Sequence, residues 1–595
     1  MVYASSQIGW FRNAAEPVPG LVTGPQQNTY PDNKEYFSRL TLVHGKSDDV
    51  FDAKLKLSYD DVKQKNGASA ASQTYSCPTG AAQLSANVFS GGLARAVNPC
   101  HLGREYVEGD SSPSMAALDP LFRNGVPYLE SKQYLASLEG NWRLSPVLTL
   151  SSLTGYYHIN EVFSDNDTGS DIDLLTAASD LTNEQVTEEV RLTSSLAGPV
   201  NFMVGGYYEY ASLHDHVPVA INFPLLGLPI PPSIIDDPNS IERTNAYSFF
   251  GQATYAITNQ WELSGGARWS DEIKKLDGTV FGRPFTIERP RVSFTNTSPE
   301  ATLKFKPSVD LTTYISYREG FVSGGYNDSA ATVFTPTSDP SYKPSTVRGG
   351  EGGVKGFALD HHLKFEGAIY YYNYKDMQLS TFDPVTTSIT TINAGKSTIK
   401  GVELAANYSP TLEVLRGVLL RAGVNYNSAR YKEFLADCYS GQTIAEGCNL
   451  SPLNGVYQAQ QLAGRPLQNA PDWAGAVGGS YEHLVTNNVW AATSVDGNYS
   501  GAYIPLEEES SLSRQSGYWQ LNASFSLYGR DHNWEVAIIG KNMTNALRNT
   551  LLVGVPLTGS GSGTNKGVLS DLAGPTNAPR TVLLQFTIKS GLFMP

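Results

Sequence analysis

The amino-acid sequence predicts an all-β protein: a transmembrane antiparallel β-barrel with about 20 visible strands, long extracellular loops and short periplasmic turns. Three observations support this fold class. Apolar and polar residues alternate with a period of two over long segments. Short turns and long polar connections alternate along the chain. Glycine and tyrosine are abundant, with 55 and 33 copies in 595 residues, and only 17% of the residues are charged. This composition suits many strands joined by tight turns.

Each strand is predicted from an alternating segment of about 9–15 residues bounded by turn signals. Short turns, such as GKSDD at 45–49 and LAGP at 196–199, are expected to join the second strand to the third, the fourth to the fifth and so on. Both chain ends then lie on the short-turn side, as in bacterial barrels with an even number of strands. The predicted strands lie near residues 2–13, 35–44, 50–63, 132–144, 147–166, 183–195, 200–214, 243–257, 261–276, 292–305, 310–322, 343–356, 362–377, 389–408, 416–434, 471–484, 487–502, 515–528, 533–545 and 578–592.

The segments WQLNASFSLY (519–528) and WELSGGARW (261–269) show the period of two most clearly. In each of them the odd-numbered residues are apolar or small, and the even-numbered residues are mainly polar. Such a strand fits a wall with lipid outside and water inside. A soluble β-sandwich or propeller would bury the same apolar face, but soluble strands average about 5–6 residues, whereas membrane strands need about 9–11. The length of the segments therefore favours the membrane barrel.

Hydropathy and charge exclude two other classes. No run of about 18 apolar residues occurs, so the sequence contains no transmembrane helix. The formal net charge of −14 argues against a nucleic-acid partner, because phosphate binding needs clustered lysine and arginine. The nine histidines are scattered, and no GxSxG, HExxH or P-loop motif occurs, so no enzyme activity is predicted.

The four cysteines form two pairs that are close in sequence, Cys77 with Cys100 and Cys438 with Cys448. Each pair lies in a long polar connection between strand-like segments. Two local disulfides are therefore predicted, which implies an oxidising compartment. Four unrelated thiols are the alternative. The N-terminus, MVYASSQIGWFRN, has neither a charged region nor an apolar region of the kind that a signal peptide needs. We therefore expect a mature fragment, an engineered chain, or a gene product with a lost or misassigned start.

Six stretches, in order along the chain, resemble the barrel of the TonB-dependent receptors, the gated outer-membrane importers. They are EEVRLTSSLAGPVNFMVGGYYEY (188–210), SFFGQATYAITNQWELSGGARWSDEIK (248–274), YISYREGFVSGGYN (314–327), INAGKSTIKGVELAANYSP (392–410), GKNMTNAL (540–547) and PRTVLLQFTIKSGLF (579–593). The family barrel has about 22 strands and follows a globular plug. Neither the plug nor a TonB box is visible here. The whole of 1–595 is therefore expected to be one barrel domain without the plug and without the first two strands of the family.

The resemblance implies an outer-membrane receptor for the energy-coupled uptake of a scarce nutrient, with ferric siderophores as the commonest class. It implies membrane lipid, a small-molecule or metal-chelate ligand, and TonB acting through a plug as partners, and no cofactor. Ligand discrimination is expected in the loops, because loops carry specificity on a rigid scaffold. A passive pore without a plug is the first alternative. A secreted β-propeller enzyme or lectin is the second.

Two segments are predicted to contact the ligand. The first is the extracellular end of the strand near 310–322 and the residues after it, and the second is the apolar, proline-rich loop FPLLGLPIPPSII at 223–235. A loop that simply packs on its neighbours is an equal alternative for the second segment. The predicted ligand-contacting residues are Tyr317, Arg318, Phe321, Tyr326, Phe223, Leu225 and Leu226.

The acidic loop DNDTGSDID (165–173) has the spacing of a calcium loop, although position twelve is Thr176 instead of the bidentate glutamate. A solvated acidic loop is therefore favoured over a metal site, and no metal is predicted elsewhere. The calcium candidates are Asp165, Asp167, Asp171 and Asp173. The aromatic residues Tyr370, Tyr371, Tyr372 and Tyr374, and the tryptophans near strand ends, are predicted to form a membrane-interface girdle in preference to a stacking surface for the ligand.

Overall fold

The computed structural model describes residues 2–17, 28–46, 48–66, 72–83, 99–166, 168–327, 339–383 and 388–588. These residues contain twenty strands of eight residues or more. The first ten are β1 (Val2–Asn13), β2 (Thr29–His44), β3 (Phe51–Gln64), β4 (Tyr128–Ser145), β5 (Leu148–Asn166), β6 (Leu175–Ser194), β7 (Val200–His216), β8 (Pro238–Ala256), β9 (Trp261–Val280) and β10 (Arg291–Ser308). The other ten are β11 (Leu311–Val322), β12 (Ser345–Ala358), β13 (Leu363–Asp383), β14 (Ser388–Tyr408), β15 (Val418–Glu433), β16 (Trp473–Thr486), β17 (Val489–Ser500), β18 (Tyr518–Gly529), β19 (Trp534–Lys541) and β20 (Thr581–Ile588).

Every one of these strands pairs antiparallel with the next along the chain, from β1–β2 to β19–β20, in one continuous sheet. The predicted all-β barrel of about 20 strands is thereby confirmed, and each predicted strand has one counterpart. The single sheet is not divided into the separate blades of a propeller. Between β1 and β20, the described residues form no ladder. The outer edge of β1 instead pairs in parallel with the short segment Glu105–Tyr106.

The connections alternate in length, as predicted. Short connections such as 146–147, between β4 and β5, lie at one end of the barrel, which we call the short-turn end. Connections such as 65–127, 434–472 and 542–580 lie at the other, the long-loop end. The exception is β13–β14, whose long strands leave only 384–387 between them. A strand needs about 9–11 residues to cross a membrane, and many of these strands are longer. The wall of the barrel therefore continues beyond the membrane at the long-loop end.

Short elements are found in the connections. One of them is the α-helix α1 (Pro113–Ala116), which Ser112 caps by accepting a hydrogen bond from the backbone N–H of Met115. The 3₁₀ turns are Pro120–Phe122, Phe223–Leu226, Glu413–Leu415, Ile444–Glu446 and Ser511–Ser513. The short strands are Ser72–Ser76, Glu105–Tyr106, Val219–Ile221, Ser233–Asp236, Arg283–Pro284, Gly325–Tyr326, Ser341–Tyr342, Leu435–Asp437, Ala459–Gln461, Val553–Gly554 and Leu572–Pro575. None of the described helices is long and apolar enough to cross a membrane.

Apolar side chains of the sheet are exposed, whereas a soluble sheet would bury them. In β9, residues 261–269 alternate regularly between exposed and half-buried, and the exposed members are the apolar or small ones. In β20 the exposed fraction reaches 68% for Phe586 and 84% for Ile588. A soluble protein would bury such side chains, whereas a membrane barrel turns them toward lipid. The apolar face of the sheet is therefore its outer, lipid-facing side.

The opposite face of the sheet is polar and linked across strands. Gln252 Nε2 donates to Glu300 Oε1 at 2.8 Å. Arg421 Nη2 pairs with Asp496 Oδ1 at 2.8 Å, although the two residues are 75 positions apart. Because charged and amide side chains satisfy one another on this face, it can line a water-filled lumen.

Aromatic contacts mark both ends of the lipid-facing wall. Trp261 stacks on Phe305 at the short-turn end, with ring centroids 4.4 Å apart. Near the long-loop end, Tyr426 contacts Trp473 at 4.9 Å. These pairs fit the predicted girdle. The tyrosine cluster divides between the two faces: Tyr371 is exposed outward, whereas the Tyr370 hydroxyl donates to Asn427 Oδ1 at 3.1 Å on the lumen side. Tyr372 shares the face of Tyr370, at 6.4 Å between ring centroids.

The buried apolar clusters lie at the long-loop end. The largest joins the ends of β14 and β15 to the 434–472 connection and is centred on Tyr431, Phe434 and Leu462. A second joins Ile172 and Leu174 to Leu225. Both predicted disulfides form in these connections, Cys77–Cys100 between β3 and β4 and Cys438–Cys448 between β15 and β16. The long loops are therefore packed and cross-linked into a folded cap on the barrel.

Candidate ligand cavity at the long-loop end

A cavity of about 360 Å³ lies within the cap, and we call it the loop cavity. Its walls come from four separate connections and from the strand ends beside them. Its volume is within the range of about 300–1,000 Å³ that is typical of small-molecule sites. The lining segments are 72–74, 106–108, 163–169, 175–178, 217–219, 551–556 and 573–575.

The wall at 106–108 is fixed by the first strand of the barrel. Asn13 Nδ2 donates to the Glu108 carbonyl at 2.8 Å, and Asn13 Oδ1 accepts from the Glu108 backbone N–H at 3.2 Å. The Tyr106 ring is buried, and its hydroxyl accepts a hydrogen bond from Asn66 Nδ2 at 3.1 Å. Burial, reinforced by the Glu108 carboxylate, raises the pKa of Tyr106 well above its usual range. The phenol therefore stays protonated and can donate a hydrogen bond.

The acidic loop between β5 and β6 forms the neighbouring wall, and Asn166 organises it. Asn166 Nδ2 donates to the carbonyls of Gly109 and Ile172, each at 3.0 Å, and its Oδ1 accepts from the Thr168 hydroxyl at 2.6 Å. Gly109 approaches this loop so closely that a Cβ atom there would lie 2.5 Å from the Asp171 carbonyl oxygen. Only glycine fits this approach. The loop is consequently held against the 105–112 segment as one folded unit.

Asp173 is completely buried at the base of the same loop. Its Oδ2 accepts from the Ser112 backbone N–H at 2.6 Å, and its Oδ1 accepts from Asn222 Nδ2 at 3.1 Å. Burial raises the pKa of this carboxyl, and these hydrogen bonds oppose the effect. Asp173 therefore joins three connections of the cap.

A small three-stranded sheet, Val553–Gly554, Leu572–Pro575 and Ser72–Ser76, forms the facing wall. Gln73 is buried in it and exchanges two hydrogen bonds with Gly103, donating to the carbonyl at 3.2 Å and accepting from the N–H at 2.9 Å. The sheet joins the connection after β3 to the connection before β20, so the cavity is closed by segments from opposite ends of the sequence.

The lining is mainly aliphatic and aromatic. Val219, Leu551 and Val553 are among its apolar members, and Glu108 and Asp165 contribute carboxylates. Such a mixture, an apolar chamber with few polar groups, is typical of a small-molecule site. The arrangement can enclose an apolar body and present acceptors to a donor group on it.

The predicted residues of the 223–235 loop lie beside the cavity. Phe223 and Leu226 pack around the buried Leu225 and against Ile172 and Leu174, under the acidic loop. The loop thus packs on its neighbours, which was the alternative to a predicted contact with the ligand. Further along, Leu228 and Ile230 are exposed at 43% and 45%. Ligand contact by Phe223, Leu225 and Leu226 stays a prediction.

The residues predicted on and after β11 do not converge on the cavity. Arg318 lies on the lumen face, with Nε 3.9 Å from Glu300 Oε2. Tyr317 lies on the exposed apolar face with Ile315, and its hydroxyl donates to Glu319. Phe321 is on the same strand face as Tyr317, paired with Thr346. Their contact with a ligand also stays a prediction.

Tyr326 belongs to a different packed cluster, with Leu276 and Val292. Its hydroxyl donates to the Arg289 carbonyl at 2.9 Å, and burial raises its pKa to about 12. In this structure Tyr326 packs in this cluster and holds the backbone of the β9–β10 connection, and its contact with a ligand stays a prediction.

The four calcium candidates lie in different surroundings. Asp167 lies outside the described residues. Asp165 lines the cavity, Asp171 is buried, and Asp173 uses its oxygens for Ser112 and Asn222. Within the described part of the chain, no group of three histidine, cysteine or acidic residues is placed to hold a metal ion. The calcium site stays a prediction.

Three residues that organise the cavity were not predicted from the sequence, namely Tyr106, Glu108 and Asn166. One signal was available for Asn166, which directly follows the predicted Asp165 in a loop rich in hydrogen-bonding side chains. Tyr106 and Glu108 have no local signal, because their placement depends on contacts with Asn13 and Asn66, which are distant in sequence.

Comparison with known proteins identifies the family. The family model described as TonB dependent receptor-like, beta-barrel, matches residues 109–543. The probable TonB-dependent receptor BfrD of Bordetella pertussis is 26% identical over 199 residues, which cover 31% of this chain and 26% of that protein. The chain therefore aligns with about a quarter of that curated relative.

Two solved structures share the fold. The ferric yersiniabactin uptake receptor FyuA from Yersinia pestis has a TM-score of 0.68 at 14% identity, over 99% of this chain and 75% of that one. The siderophore receptor PiuA from Acinetobacter baumannii has a TM-score of 0.62 at 15% identity, over 94% and 76%. The family match covers more than half of the chain, and the strands, the inverted burial and the girdle agree with it. The chain therefore belongs to the TonB-dependent receptors and forms the β-barrel of an outer-membrane protein of that family.

Proposed function

We propose that this protein is an outer-membrane receptor that binds a scarce nutrient at the long-loop end and takes part in its energy-coupled uptake into the periplasm. The loop cavity is the observation that carries the proposal. It is enclosed by four connections that share hydrogen bonds, and it lies at the end of a barrel whose inner face is polar. A receptor that captures a solute before moving it across the membrane needs a binding cavity next to a water-filled lumen, and this arrangement provides both.

Ferric siderophore is the nutrient class that we propose. Two structures with the same fold support this choice, since PiuA is described as a siderophore receptor and FyuA as a ferric yersiniabactin uptake receptor. The proposed partners are membrane lipid along the exposed apolar face, a metal-chelate ligand in the loop cavity, and TonB acting through a plug. No cofactor is part of the proposal.

The test is uptake of radiolabelled iron by cells that lack their own siderophore receptors and express this barrel together with a plug, because TonB acts through the plug. We expect uptake from a ferric siderophore that stops when the proton-motive force is dissipated. Val553→Trp, in the cavity wall, is expected to reduce uptake at least about tenfold by filling the chamber. Leu412→Trp, at an exposed position in the 409–417 connection at the short-turn end, is the matched control and should have no effect.

Planar-bilayer conductance separates the proposal from a passive pore. A gated receptor is expected to conduct little until its lumen is opened. A large constant conductance, together with solute entry that does not depend on energy, would contradict the proposal and favour the passive pore.

A further inference from the structure

A groove of about 600 Å³ lies on the lipid-facing side of the barrel, along β12, and we call it the outer groove. It forms because Gly350 and Gly352 have no side chains, whereas the residues paired with them on both neighbouring strands are large. All four of these neighbours are exposed and apolar or aromatic, as expected for a surface in contact with lipid. They are Ile315 and Tyr317 on β11 and Ile369 and Tyr371 on β13.

The outer groove ends at the membrane–water interface. The Tyr317 hydroxyl donates to Glu319, and the Tyr371 hydroxyl donates to Asn373 Oδ1 at 3.4 Å. A tyrosine with its ring on an apolar surface and its hydroxyl on polar groups is typical of this interface. The long-loop end of the groove therefore opens at the level of the lipid headgroups of the outer leaflet.

Two cations lie beside this opening, Arg348 and Lys400, and we call them the cationic patch. Arg348 is paired with Asn373 in the ladder between β12 and β13, and Lys400 is paired with Tyr371 in the ladder between β13 and β14. Residues that are paired across strands point to the same face of a sheet. Both cations therefore face outward, on the same side as the walls of the groove.

Neither cation of the patch forms an ion pair with any residue that the structure describes. Nearby cations on β14 and β15 are paired: Lys396 with Glu433 at 3.0 Å, and Arg430 with Asp472 at 2.6 Å. Because the whole chain has a net charge of −14, acidic partners are plentiful elsewhere. Two unpaired cations next to an apolar groove are therefore suited to an anion that comes from outside the chain.

Asn373 lies between the two cations and is held in one orientation. Its Oδ1 accepts from the Thr398 hydroxyl at 3.1 Å and from the Tyr371 hydroxyl at 3.4 Å. In the part of the chain that the structure describes, its Nδ2 has no acceptor. An oxyanion at this position would accept a hydrogen bond from Asn373 and charge-assisted hydrogen bonds from Arg348 and Lys400.

Two acidic groups also lie near this position. Glu319 is paired with Arg348 in the ladder between β11 and β12 and accepts the Tyr317 hydroxyl. Asp376 Oδ2 lies 3.9 Å from Lys375 Nζ, so a third cation offsets this carboxylate. Glu319 is therefore the group expected to weaken the binding of an anion.

We infer that the outer groove and the cationic patch bind a phosphorylated lipid of the outer leaflet, with an acyl chain in the groove and a phosphate at Arg348, Lys400 and Asn373. Charge complementarity identifies this occupant. A lipid without an anionic headgroup would leave the two cations unpaired, and free phosphate would leave the apolar groove unfilled. The site lies on the outer wall of the barrel, apart from the loop cavity, so it goes beyond the proposed function.

The experiment measures lipid binding to the purified full chain in a neutral detergent by native mass spectrometry. The probes are diphosphorylated lipid A, the same lipid A after enzymatic removal of both phosphates, and inorganic phosphate. We expect the diphosphorylated form to bind at least about tenfold more tightly than the dephosphorylated form. Inorganic phosphate should not displace it, because phosphate alone gains nothing from the groove.

A double variant tests the cations. Arg348→Gln with Lys400→Gln is expected to weaken binding of diphosphorylated lipid A at least about tenfold and to leave the dephosphorylated form unchanged. Lys275→Gln with Arg291→Gln is the matched control. These two residues are exposed and paired with each other, and Lys275 is six positions beyond Trp269 on β9, so they lie further from the membrane. The control removes the same charge and should change the affinity by less than about twofold.

Two further variants test the acid and the groove. Glu319→Gln is expected to tighten binding of diphosphorylated lipid A about threefold, a gain that a folding defect cannot produce. Gly352→Leu fills the groove without a change of charge and should weaken both lipid forms at least about fivefold. A Cβ atom at this position would meet no atom closer than 3.8 Å, so the strand can accept the side chain. Heat-modifiable migration on a gel checks that each variant is folded.

The outcomes decide the inference independently of the proposed function. Equal binding of the two lipid forms, equal losses in the two double variants, or displacement by inorganic phosphate would overturn it. Dimers of the chain that form through the groove in place of lipid binding would also overturn it. If the Arg348 and Lys400 variant does not fold, the unaltered chain and Glu319→Gln still decide. Iron uptake by the receptor should persist in folded variants of the cationic patch, so loss of nutrient uptake and loss of lipid binding are separate results.

Discussion

Arg430 Nη2 lies 2.6 Å from Asp472 Oδ1 and 2.8 Å from Asp472 Oδ2. Arg430 is at the end of β15 and Asp472 directly precedes β16, so the pair closes the base of the 434–472 connection. A second guanidinium nitrogen, Nη1, donates to the Ala429 carbonyl at 2.8 Å. One arginine therefore ties together the two strand ends between which the largest apolar cluster of the cap is packed.

The first prediction concerns this pair. In a double-mutant cycle with Arg430→Ala and Asp472→Ala, we expect a coupling free energy of about 1 kcal/mol, because the hydrogen bonds are charge-assisted but both side chains are partly exposed. Urea unfolding in lipid vesicles provides the measurement. The pair Arg416 and Glu413 is the control, since its side chains are 84% and 89% exposed and it should show no measurable coupling. Equal coupling free energies in the two cycles would contradict the conclusion that Arg430 and Asp472 tie the two strand ends together.

The second prediction concerns the direction in which side chains face on β13. Ile369 is 64% exposed on the lipid side, and its neighbour Ala368 faces the lumen, paired with Glu403. Ile369→Arg is expected to lower the free energy of unfolding by about 2–4 kcal/mol, the cost of a cation on the lipid face near the membrane centre. Ala368→Arg, one position away, is expected to be tolerated. If both variants lost the same stability, the assignment of the two faces would be wrong.

The strands could be predicted from the sequence because their signal is local. Each membrane strand carries its own alternation, and the adjacent turn sets the pairing partner, as in the β8–β9 hairpin around residues 257–260. The loop cavity could not be predicted. Ser72–Ser76 pairs with Leu572–Pro575 across almost the whole chain, and no local pattern encodes that contact. Tyr317 and Arg318 also show why a site is hard to predict from sequence proximity. They are adjacent in sequence but lie on opposite faces of one strand.

The third prediction concerns pH. Glu507 and Glu509 are buried in the connection between β17 and β18, and burial raises the pKa of each to about 8. Glu508 and Asp437 add to the effect at Glu507, whereas Arg465 and Arg430 oppose it at Glu509. Because the folded loop favours the protonated acids, its stability is fully present below about pH 4.5. It is lost as pH rises toward about 8 and is constant above that.

Hydrogen–deuterium exchange of residues 501–517, corrected for the intrinsic pH dependence of exchange, measures this effect. Protection is expected to decrease as pH rises from about 5 to about 8. Glu507→Gln with Glu509→Gln should flatten the profile, because the uncharged amides do not titrate. Glu413→Gln, at an exposed position far from this loop, is the control and should retain the slope of the unaltered chain. A profile that rises with pH would contradict the prediction.

The fourth prediction concerns the disulfide Cys438–Cys448. It closes a loop with a sequence separation of 10, and inside that loop Thr443 and Glu446 form a reciprocal cap around the 3₁₀ turn Ile444–Glu446. A cross-link of this kind typically contributes about 2–4 kcal/mol by restricting the open state of the loop. Replacing both cysteines with serine is therefore expected to increase hydrogen exchange of residues 439–447 by at least about tenfold. Exchange in β15 and β16 should not change, because the ladder between these two strands does not depend on the loop.

Serine replacement at Cys77 and Cys100 is the matched control, since it should loosen only the β3–β4 connection. Faster exchange throughout β15 and β16 would instead mean that the cap and the wall unfold as one unit.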